Sequence, residues 1–157
     1  ACRWFDEMQR LGVRPSVNTW NALINARAKR GKRTQDRKEV IEAERLLGSM
    51  LKEEGIEADV ITFNSLINVC AQLGDFERAN RWFGAMVTNG IEPDIRTFSA
   101  MLNACAKTKD AASWEIAVAL FRGMNRKSIE LDKFLFASML NVCANAVGSL
   151  CDGRWGF

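Results

Sequence analysis

The sequence predicts an all-α protein, an α-solenoid in which antiparallel helix hairpins are repeated along the chain. Three observations lead to this fold class. A block of similar sequence recurs at intervals of 43, 35 and 38 residues, and self-similarity at such a period is typical of a solenoid. Apolar residues within each block are spaced as on one face of a helix. The 157 residues include only two prolines and eleven glycines, which is too few for a strand-and-turn protein of this length.

Each repeat unit contains three kinds of block in a constant order. The first is clearest at residues 60–71 (VITFNSLINVCA) and 95–106 (IRTFSAMLNACA), and it also appears earlier and later in the chain. The second pairs two large apolar residues with a methionine, as in 82–86 (WFGAM), and the third is a turn such as 90–94 (GIEPD). Because the order does not change, each unit is predicted to be one hairpin of two helices.

The first helix of each hairpin is predicted from an apolar stripe and an N-terminal cap. Phe63, Leu66, Ile67 and Cys70 fall at i, i+3, i+4 and i+7, so they share one helix face. Thr62, like the threonines at the matching places of other units, is expected to cap the N-terminus. The cysteines that recur on this face are predicted to be packing residues, because free cysteine is among the most buried residue types.

The second helix of each hairpin carries another apolar stripe, as between residues 76 and 87. Gly90 suits the left-handed residue that ends a helix, and Pro93 prevents the helix from continuing. Trp82 and Trp4 occupy the same position in their repeats. Both are therefore predicted to pack between helices and not to stack on a nucleic-acid base.

The whole chain is predicted to be a single array of such units. Its parts are a half repeat (1–16), three full repeats (17–59, 60–94 and 95–132), a second half repeat (133–147) and a tail (148–157). The first full repeat is the longest, and its surplus residues are expected mostly between its two helices, at 30–38. The surplus of the third is expected near 108–113.

The composition excludes several classes of function. The chain has no histidine, which removes the commonest general base and most transition-metal sites. Its five cysteines form no C-x-x-C pair, so neither a zinc site nor a disulfide framework is expected and a reducing compartment is favoured. We expect no cofactor. No run of about eighteen apolar residues is present, so no membrane span is predicted, and the net charge of +3 alone does not indicate a nucleic-acid partner.

The repeat unit closely resembles the pentatricopeptide repeat family. Its markers, V-x-T-[FW]-N-x-L-I-N-x-C-A in the first helix and G-I-x-P-D in the turn, recur from residue 1 to about residue 146. Tetratricopeptide repeats need a tyrosine and a Trp-Leu-Gly block, and this chain has no tyrosine. The resemblance implies a right-handed superhelix whose concave face, formed by the first helices, binds single-stranded RNA at one base per repeat.

The resemblance also implies a location and a biological role. Members of the family act mostly in mitochondria and plastids, in RNA processing, stability, editing or translation. No targeting peptide is visible in the sequence, which begins at Ala1 without a methionine. The expected partner is single-stranded RNA, with other proteins of a ribonucleoprotein complex as further candidates, and no membrane.

The resemblance assigns the site residues one unit at a time. The fifth and last residues of a unit contact the base, which gives Asn21 with Asp59, Asn64 with Asp94, and Ser99 with Asp132. The second residue flanks the base, and here it is Asn18, Ile61, Arg96 or, in the last half repeat, Phe134. A lysine late in the first helix approaches the RNA backbone, and Lys29 and Lys107 match it.

The terminal aspartates favour particular bases on chemical grounds. Uracil and guanine present an N–H donor on the pairing edge, at a point where cytosine and adenine present an acceptor. A carboxylate can only accept a hydrogen bond, so each aspartate favours uracil or guanine, directly or through a water. The resemblance makes Asn with Asp a uracil-binding pair and Ser with Asp a guanine-binding pair. With the family's parallel polarity, the expected core is 5′-U-U-G-3′.

Three alternatives stand beside RNA binding. Asp before a helix and Asn near its start are also common caps, so the paired residues could be purely structural. The array could instead be a protein-interaction scaffold within a ribonucleoprotein, which the polar residues Asn18 and Arg96 at the flanking positions favour slightly. An enzyme is disfavoured, because a zinc deaminase needs His and Cys ligands at a spacing that is absent here.

Overall fold

The computed structural model describes residues 2–53, 55–108, 111–126 and 133–151. These residues form eight α-helices: α1 (Cys2–Arg10), α2 (Val17–Thr34), α3 (Arg37–Met50), α4 (Val60–Gln72), α5 (Phe76–Thr88), α6 (Ile95–Lys107), α7 (Ala111–Arg126) and α8 (Lys133–Cys151). Helices α2 and α3, α4 and α5, and α6 and α7 pair as three hairpins. The first helices α2, α4, α6 and α8 contact one another in order and form a continuous layer. The expected α-solenoid is confirmed.

The core lies between the helices of each hairpin and between successive hairpins. Phe63, Leu66, Ile67 and Cys70 have no exposed surface, so the apolar stripe predicted for α4 is confirmed. Burial raises the pKa of the Cys70 and Cys105 thiols to about 12. Both cysteines therefore stay protonated and unreactive at neutral pH, and they act as packing residues, as predicted.

The N-terminal caps of α4 and α6 differ from the prediction. Asp59 is the N-cap of α4: its Oδ1 accepts from the Thr62 backbone N–H over 2.9 Å, and its own N–H donates to Thr62 Oγ1 over 3.3 Å. Asp94 and Thr97 form the same reciprocal capping box at α6. The prediction that Thr62 is itself the cap is wrong, because this residue already lies inside the first helical turn. It supports the cap from within the helix.

The surplus residues of the first full repeat mainly lengthen its helices, which corrects the prediction of an inserted connection. Helix α2 has 18 residues against 13 in α4, and only residues 35–36 join it to α3. Gly31 permits this longer hairpin, because a Cβ atom there would lie 3.1 Å from Val40 Cγ2. Similarly, α7 has 16 residues against 13 in α5.

The end of α5 agrees with the end predicted from the sequence, whereas the end of α8 differs from the predicted one. Gly90 follows α5 with φ of 73°, the left-handed conformation predicted for it. Helix α8 continues to Cys151, past residue 147, the predicted end of the last half repeat. None of the described helices is long and apolar enough to cross a membrane.

Candidate nucleic-acid interface

A groove of about 1060 Å³ lies along the layer of first helices. Side chains of α2, α4 and α6, the cap Asp94 and Ser138 of α8 line it, and none of the described lining residues belongs to a second helix. These described residues include three cations and one carboxylate, a balance that favours an anionic ligand. Six of the site residues predicted from the sequence line the groove: Lys29, Ile61, Asn64, Asp94, Arg96 and Ser99.

The predicted base-contacting pair of the second full repeat is joined by a direct hydrogen bond. Asn64 Nδ2 donates to Asp94 Oδ1 over 3.0 Å, although Asn64 lies in α4 and Asp94 precedes α6. Thr97 completes the group, because its hydroxyl donates to Asn64 Oδ1 over 2.6 Å. A carboxylate has no proton to donate, so the amide must turn its NH₂ toward Asp94. The pair is thereby fixed in one orientation.

The same three-residue group occurs one repeat earlier. Asn21 Nδ2 lies 3.1 and 3.0 Å from the two carboxylate oxygens of Asp59, and the Thr62 hydroxyl donates to Asn21 Oδ1. The sequence pattern indicates only a capping role for Thr62 and does not predict its contact with the preceding repeat. The available signal was the threonine found three residues after each of these aspartates.

Both aspartates are held in the ionised form. Partial burial by itself raises the pKa of Asp59 and Asp94, but hydrogen bonds donated by the neighbouring Thr and Asn outweigh it and lower the pKa of each. Each carboxylate is therefore a hydrogen-bond acceptor at neutral pH. Asn64 uses one of its two N–H groups on Asp94, so this pair presents an acceptor beside a donor.

The third predicted pair is described only in part. Ser99 is half-buried and lines the groove, whereas Asp132 and the side chain of Phe134 lie outside the described residues. Leu135 stands where the other units have a threonine. The third unit therefore lacks the hydroxyl that bridges the first two pairs.

The predicted base-flanking residues differ in position. Ile61 is 59% exposed and lies in the groove. Arg96, also exposed, lies in the groove on the next first helix. Asn18 is exposed but is not among the residues that line the groove. Ile61 and Arg96 thus offer one aliphatic and one cationic surface on neighbouring helices, and both kinds of side chain can stack against a base.

The cations of the first full repeat form two groups. Arg27 and Arg30 form ion pairs with Glu39, of 2.8 Å and 3.1 Å respectively. Lys29 and Lys32, on the same helix, line the groove instead. The ion pairs hold the arginines against α3, so the lysines supply the positive charge on this wall of the groove.

Lys107, the second predicted backbone-contacting lysine, contacts the neighbouring repeat. Its Nζ donates to the backbone carbonyl of Gln72, the last residue of α4, over 2.7 Å. Asn145, at the same position of the next repeat, donates to the carbonyl of Ala106. These carbonyls are left free by the ends of α4 and α6. Lys29, at the matching position of the first full repeat, lines the groove.

The two tryptophans at the same repeat position have different surroundings. Trp82 is partly buried, packs 6.4 Å from the Phe63 ring and donates from Nε1 to Glu44 over 2.7 Å, so its predicted packing role is confirmed. Trp4 is 79% exposed, and its predicted packing role is wrong. Trp82 finds its aromatic neighbour on α4, the first helix of its own hairpin, and none of the described residues takes that place beside Trp4.

Among the described residues, the polar groups that line the groove are amides, hydroxyls, cations and the Asp94 carboxylate, which bind ligands through hydrogen bonds and charge. Within the described part of the chain, no group of three or more His, Cys, Asp or Glu side chains could hold a metal ion. The fold and this groove define a class of protein: a helical-repeat solenoid with a polar, positively charged face built from one helix of each repeat.

Comparison with known proteins identifies the family within that class. The profile of the PPR repeat family matches residues 58–107, and that of the pentatricopeptide repeat domain matches residues 3–43. Together these matches span more than half of the sequence. The chain belongs to the pentatricopeptide repeat family.

Two curated relatives from Arabidopsis thaliana carry the same repeats. The chain is 38% identical over 86 residues to a mitochondrial pentatricopeptide repeat-containing protein, a match that covers 55% of this chain and 11% of the relative. It is 35% identical over 82 residues to a chloroplastic one, covering 50% of this chain and 14% of that relative. The matched region is therefore a small part of either relative.

Solved structures of one pentatricopeptide repeat protein share the fold. The crystal structure of PPR10 in complex with an 18-nt psaJ RNA element superposes with a TM-score of 0.58 at 21% identity, covering 96% of this chain and 26% of PPR10. The crystal structure of PPR10 from maize gives a TM-score of 0.57, also at 21% identity, and covers 98% of this chain and 26% of PPR10. At this identity the likeness concerns the fold.

Proposed function

We propose that this chain binds single-stranded RNA in the groove of its first helices, with one base contacted by each repeat. The observation that carries the proposal is the hydrogen-bonded pair of Asn64 and Asp94, repeated by Asn21 and Asp59. Each pair connects the first helix of one repeat to the residue that precedes the next first helix, so it recurs once per repeat along one face. A row of such pairs suits a polymer whose bases recur at a regular interval.

The chemistry of these pairs favours uracil or guanine over cytosine and adenine, and the family resemblance selects uracil for Asn with Asp. Uracil presents an N3–H donor beside a carbonyl acceptor, and the ionised carboxylate with its neighbouring amide N–H is the complementary arrangement. Cytosine presents an acceptor at N3, which a carboxylate repels. The third unit pairs Ser99 with Asp132 and is proposed to bind guanine through its N1–H. With parallel polarity the core is 5′-U-U-G-3′.

The remaining groove residues suit the rest of the nucleotide. Ile61 and Arg96 are proposed to flank the bases, with Asn18 at the matching place of the first full repeat. Lys29 and Lys107 are proposed to approach the phosphates, Lys107 while its ammonium group also contacts the Gln72 carbonyl. Catalysis is no part of this proposal: the groove acts by sequence-specific binding.

The proposed setting is organellar RNA metabolism. The two curated relatives are a mitochondrial and a chloroplastic protein, and one PPR10 structure is a complex with RNA. These names support a mitochondrial or plastid location and a role in RNA processing, stability, editing or translation. Other proteins of a ribonucleoprotein complex are proposed as additional partners.

A protein-interaction scaffold is the second candidate, and one observation favours it. Arg96 is exposed in the groove, at a place where the family's base-flanking residue is usually aliphatic. A guanidinium there could equally pair with a carboxylate of a protein partner. The two candidates differ in whether purified chain binds RNA without any protein present.

The test is competition binding with fluorescently labelled RNA. We expect single-stranded RNA with a 5′-UUG-3′ core between cytidine flanks to bind more tightly than the same RNA with an AAC core. The UUG-containing RNA annealed to its full complementary strand should not compete, because base pairing covers the edges that the aspartates contact. Only three pairs are present, so the affinity should be weak. Absence of binding to any of these RNAs would instead favour the scaffold.

A further inference from the structure

Each of the three full repeats carries a second polar position on the groove side of its first helix. Asn25, Asn68 and Asn103 each follow the base-contacting residue of their repeat by four positions, and all three line the groove. Residues at i and i+4 lie on the same helix face, about 6 Å apart along the axis. We call these three residues the asparagine row.

The asparagine row has hydrogen-bonding groups that the protein does not use. Among the described residues Asn25 and Asn103 make no side-chain hydrogen bond, and Asn68 uses only Oδ1, which accepts from Gln72 Nε2 over 3.0 Å. By contrast, Asn64 and Ser65 in the same groove are bonded to Asp94 and to a backbone carbonyl. A side-chain amide offers two donors and one acceptor, so the row can bind a polar ligand without breaking protein contacts.

The position of the row indicates which part of a nucleotide it faces. On α2, Asn25 lies one turn after the base-contacting Asn21 and one turn before Lys29, the proposed phosphate contact. The sugar joins base to phosphate in every nucleotide. When the bases of a bound strand lie near Asn21 and its phosphates lie near Lys29, its sugars lie between them. The sugars are then at the level of the asparagine row.

Resting on the proposed function, we propose that the asparagine row contacts the ribose 2′-hydroxyls and makes the groove select RNA over DNA. The 2′-hydroxyl both donates and accepts hydrogen bonds, which matches a side-chain amide that does the same. Because the hydroxyl is present on every ribonucleotide, this contact is independent of base sequence. It is thus distinct from the contact proposed for the aspartates.

The experiment compares two oligonucleotides that differ only in the sugar. One is RNA with the 5′-UUG-3′ core between cytidine flanks, and the other has the same bases, including uracil, on 2′-deoxyribose. The double variant Asn68→Ala with Asn103→Ala is measured beside wild type by competition binding. We expect the variant to lose RNA affinity by about three- to ten-fold per asparagine, as for a neutral hydrogen bond, while its affinity for the deoxy strand stays unchanged.

Asn80→Ala is the matched control. Asn80 lies on the second helix α5, outside the groove lining, and Ala is a better helix former than Asn in both variants, so neither change should disturb the fold. The control should leave both affinities unaltered. Far-ultraviolet circular dichroism checks that all three proteins have the same helix content.

Five outcomes are decisive. A loss confined to the RNA strand supports the proposal. Equal losses on both strands would show that the row contacts base or phosphate, and no loss on either would show that it contacts nothing, so both results overturn the proposal. A wild type that binds both strands equally well also overturns it but leaves the proposed function standing. A wild type that binds neither strand overturns the proposed function as well.

Discussion

The side chain of Asn64, in α4, and that of Asp94, the residue that precedes α6, are joined by a hydrogen bond of 3.0 Å. Asp94 is at the same time the N-cap of α6. The Asp94 carboxylate therefore caps the start of α6, and it also fixes the orientation of the Asn64 amide in the groove. Helix capping, the structural alternative to RNA binding for this residue, is therefore present. The capped Asp94 is still ionised and still lies at the groove. Capping and base contact are compatible at this residue.

The base preference of the second repeat should change with Asp94→Asn. An amide can donate to the bare N3 of cytosine, which a carboxylate cannot, so the preference at one base should move from uracil toward cytosine. By analogy with other base-edge contacts, the change is about 1–3 kcal/mol. The measurement is competition binding against four RNAs that differ only at that base.

Asp75→Asn is the control for this variant. Asp75 is also an N-cap, but it begins the second helix α5 and is absent from the groove lining. Since Asn caps about as well as Asp, both variants should remain folded, and only Asp94→Asn should alter base preference. Uniform weakening on all four RNAs would mean that Asp94 contributes to the groove as a cap alone.

Lys29→Ala should weaken binding by a similar factor for every RNA sequence. A phosphate contact carries no base information, and its loss should reduce the slope of log affinity against log salt by about 0.7 for a single strand. Lys38→Ala, exposed on α3 and outside the groove, serves as the control and should change the slope little. A loss at Lys29 that depended on one base would contradict a backbone contact.

The stability of the array should fall in acid through Asp59 and Asp94. Both have a pKa below the usual 3.8 in the folded protein, so the unfolded chain binds more protons as the pH falls. Their contribution is complete above the unfolded pKa and is lost as the pH falls through the lower folded pKa. In the double variant Asp59→Asn with Asp94→Asn, the free energy of unfolding by urea should decline less steeply across that range. Parallel pH profiles would refute this assignment.

Glu44 should be a stabilising residue between hairpins. It accepts from Arg78 over 2.8 Å and from Trp82 Nε1 over 2.7 Å, and its side chain is only 12% exposed. Glu44→Ala leaves these donors without their acceptor, so the free energy of unfolding should fall by about 1–3 kcal/mol. Glu42→Ala removes an exposed ion pair with Arg45 and should cost less than about 0.5 kcal/mol. Equal urea midpoints for the two variants would contradict this role.

Much of the fold follows from sequence because it is repetitive. The apolar stripe of Phe63, Leu66, Ile67 and Cys70 identifies the buried face without any knowledge of its neighbours, since helical periodicity is a local property. The recurrence of the same stripe then implies stacking, because one hairpin cannot bury its apolar face alone. Trp4 is the exception: it shares the repeat position of Trp82 but is 79% exposed, because burial depends on the neighbouring helix and a repeat position does not carry that information.

The sequence alone determined the helical repeats, their order and the residues at each repeat position, including Asn64 and Asp94. The tertiary structure decided which of these positions meet. The bond between Asn64 and Asp94 connects α4 to the residue that precedes α6. The contacts of Thr97 with Asn64 and of Lys107 with the Gln72 carbonyl join residues from different repeats. Their geometry depends on how far successive first helices are rotated and spaced, which packing of the whole layer sets and no single repeat specifies.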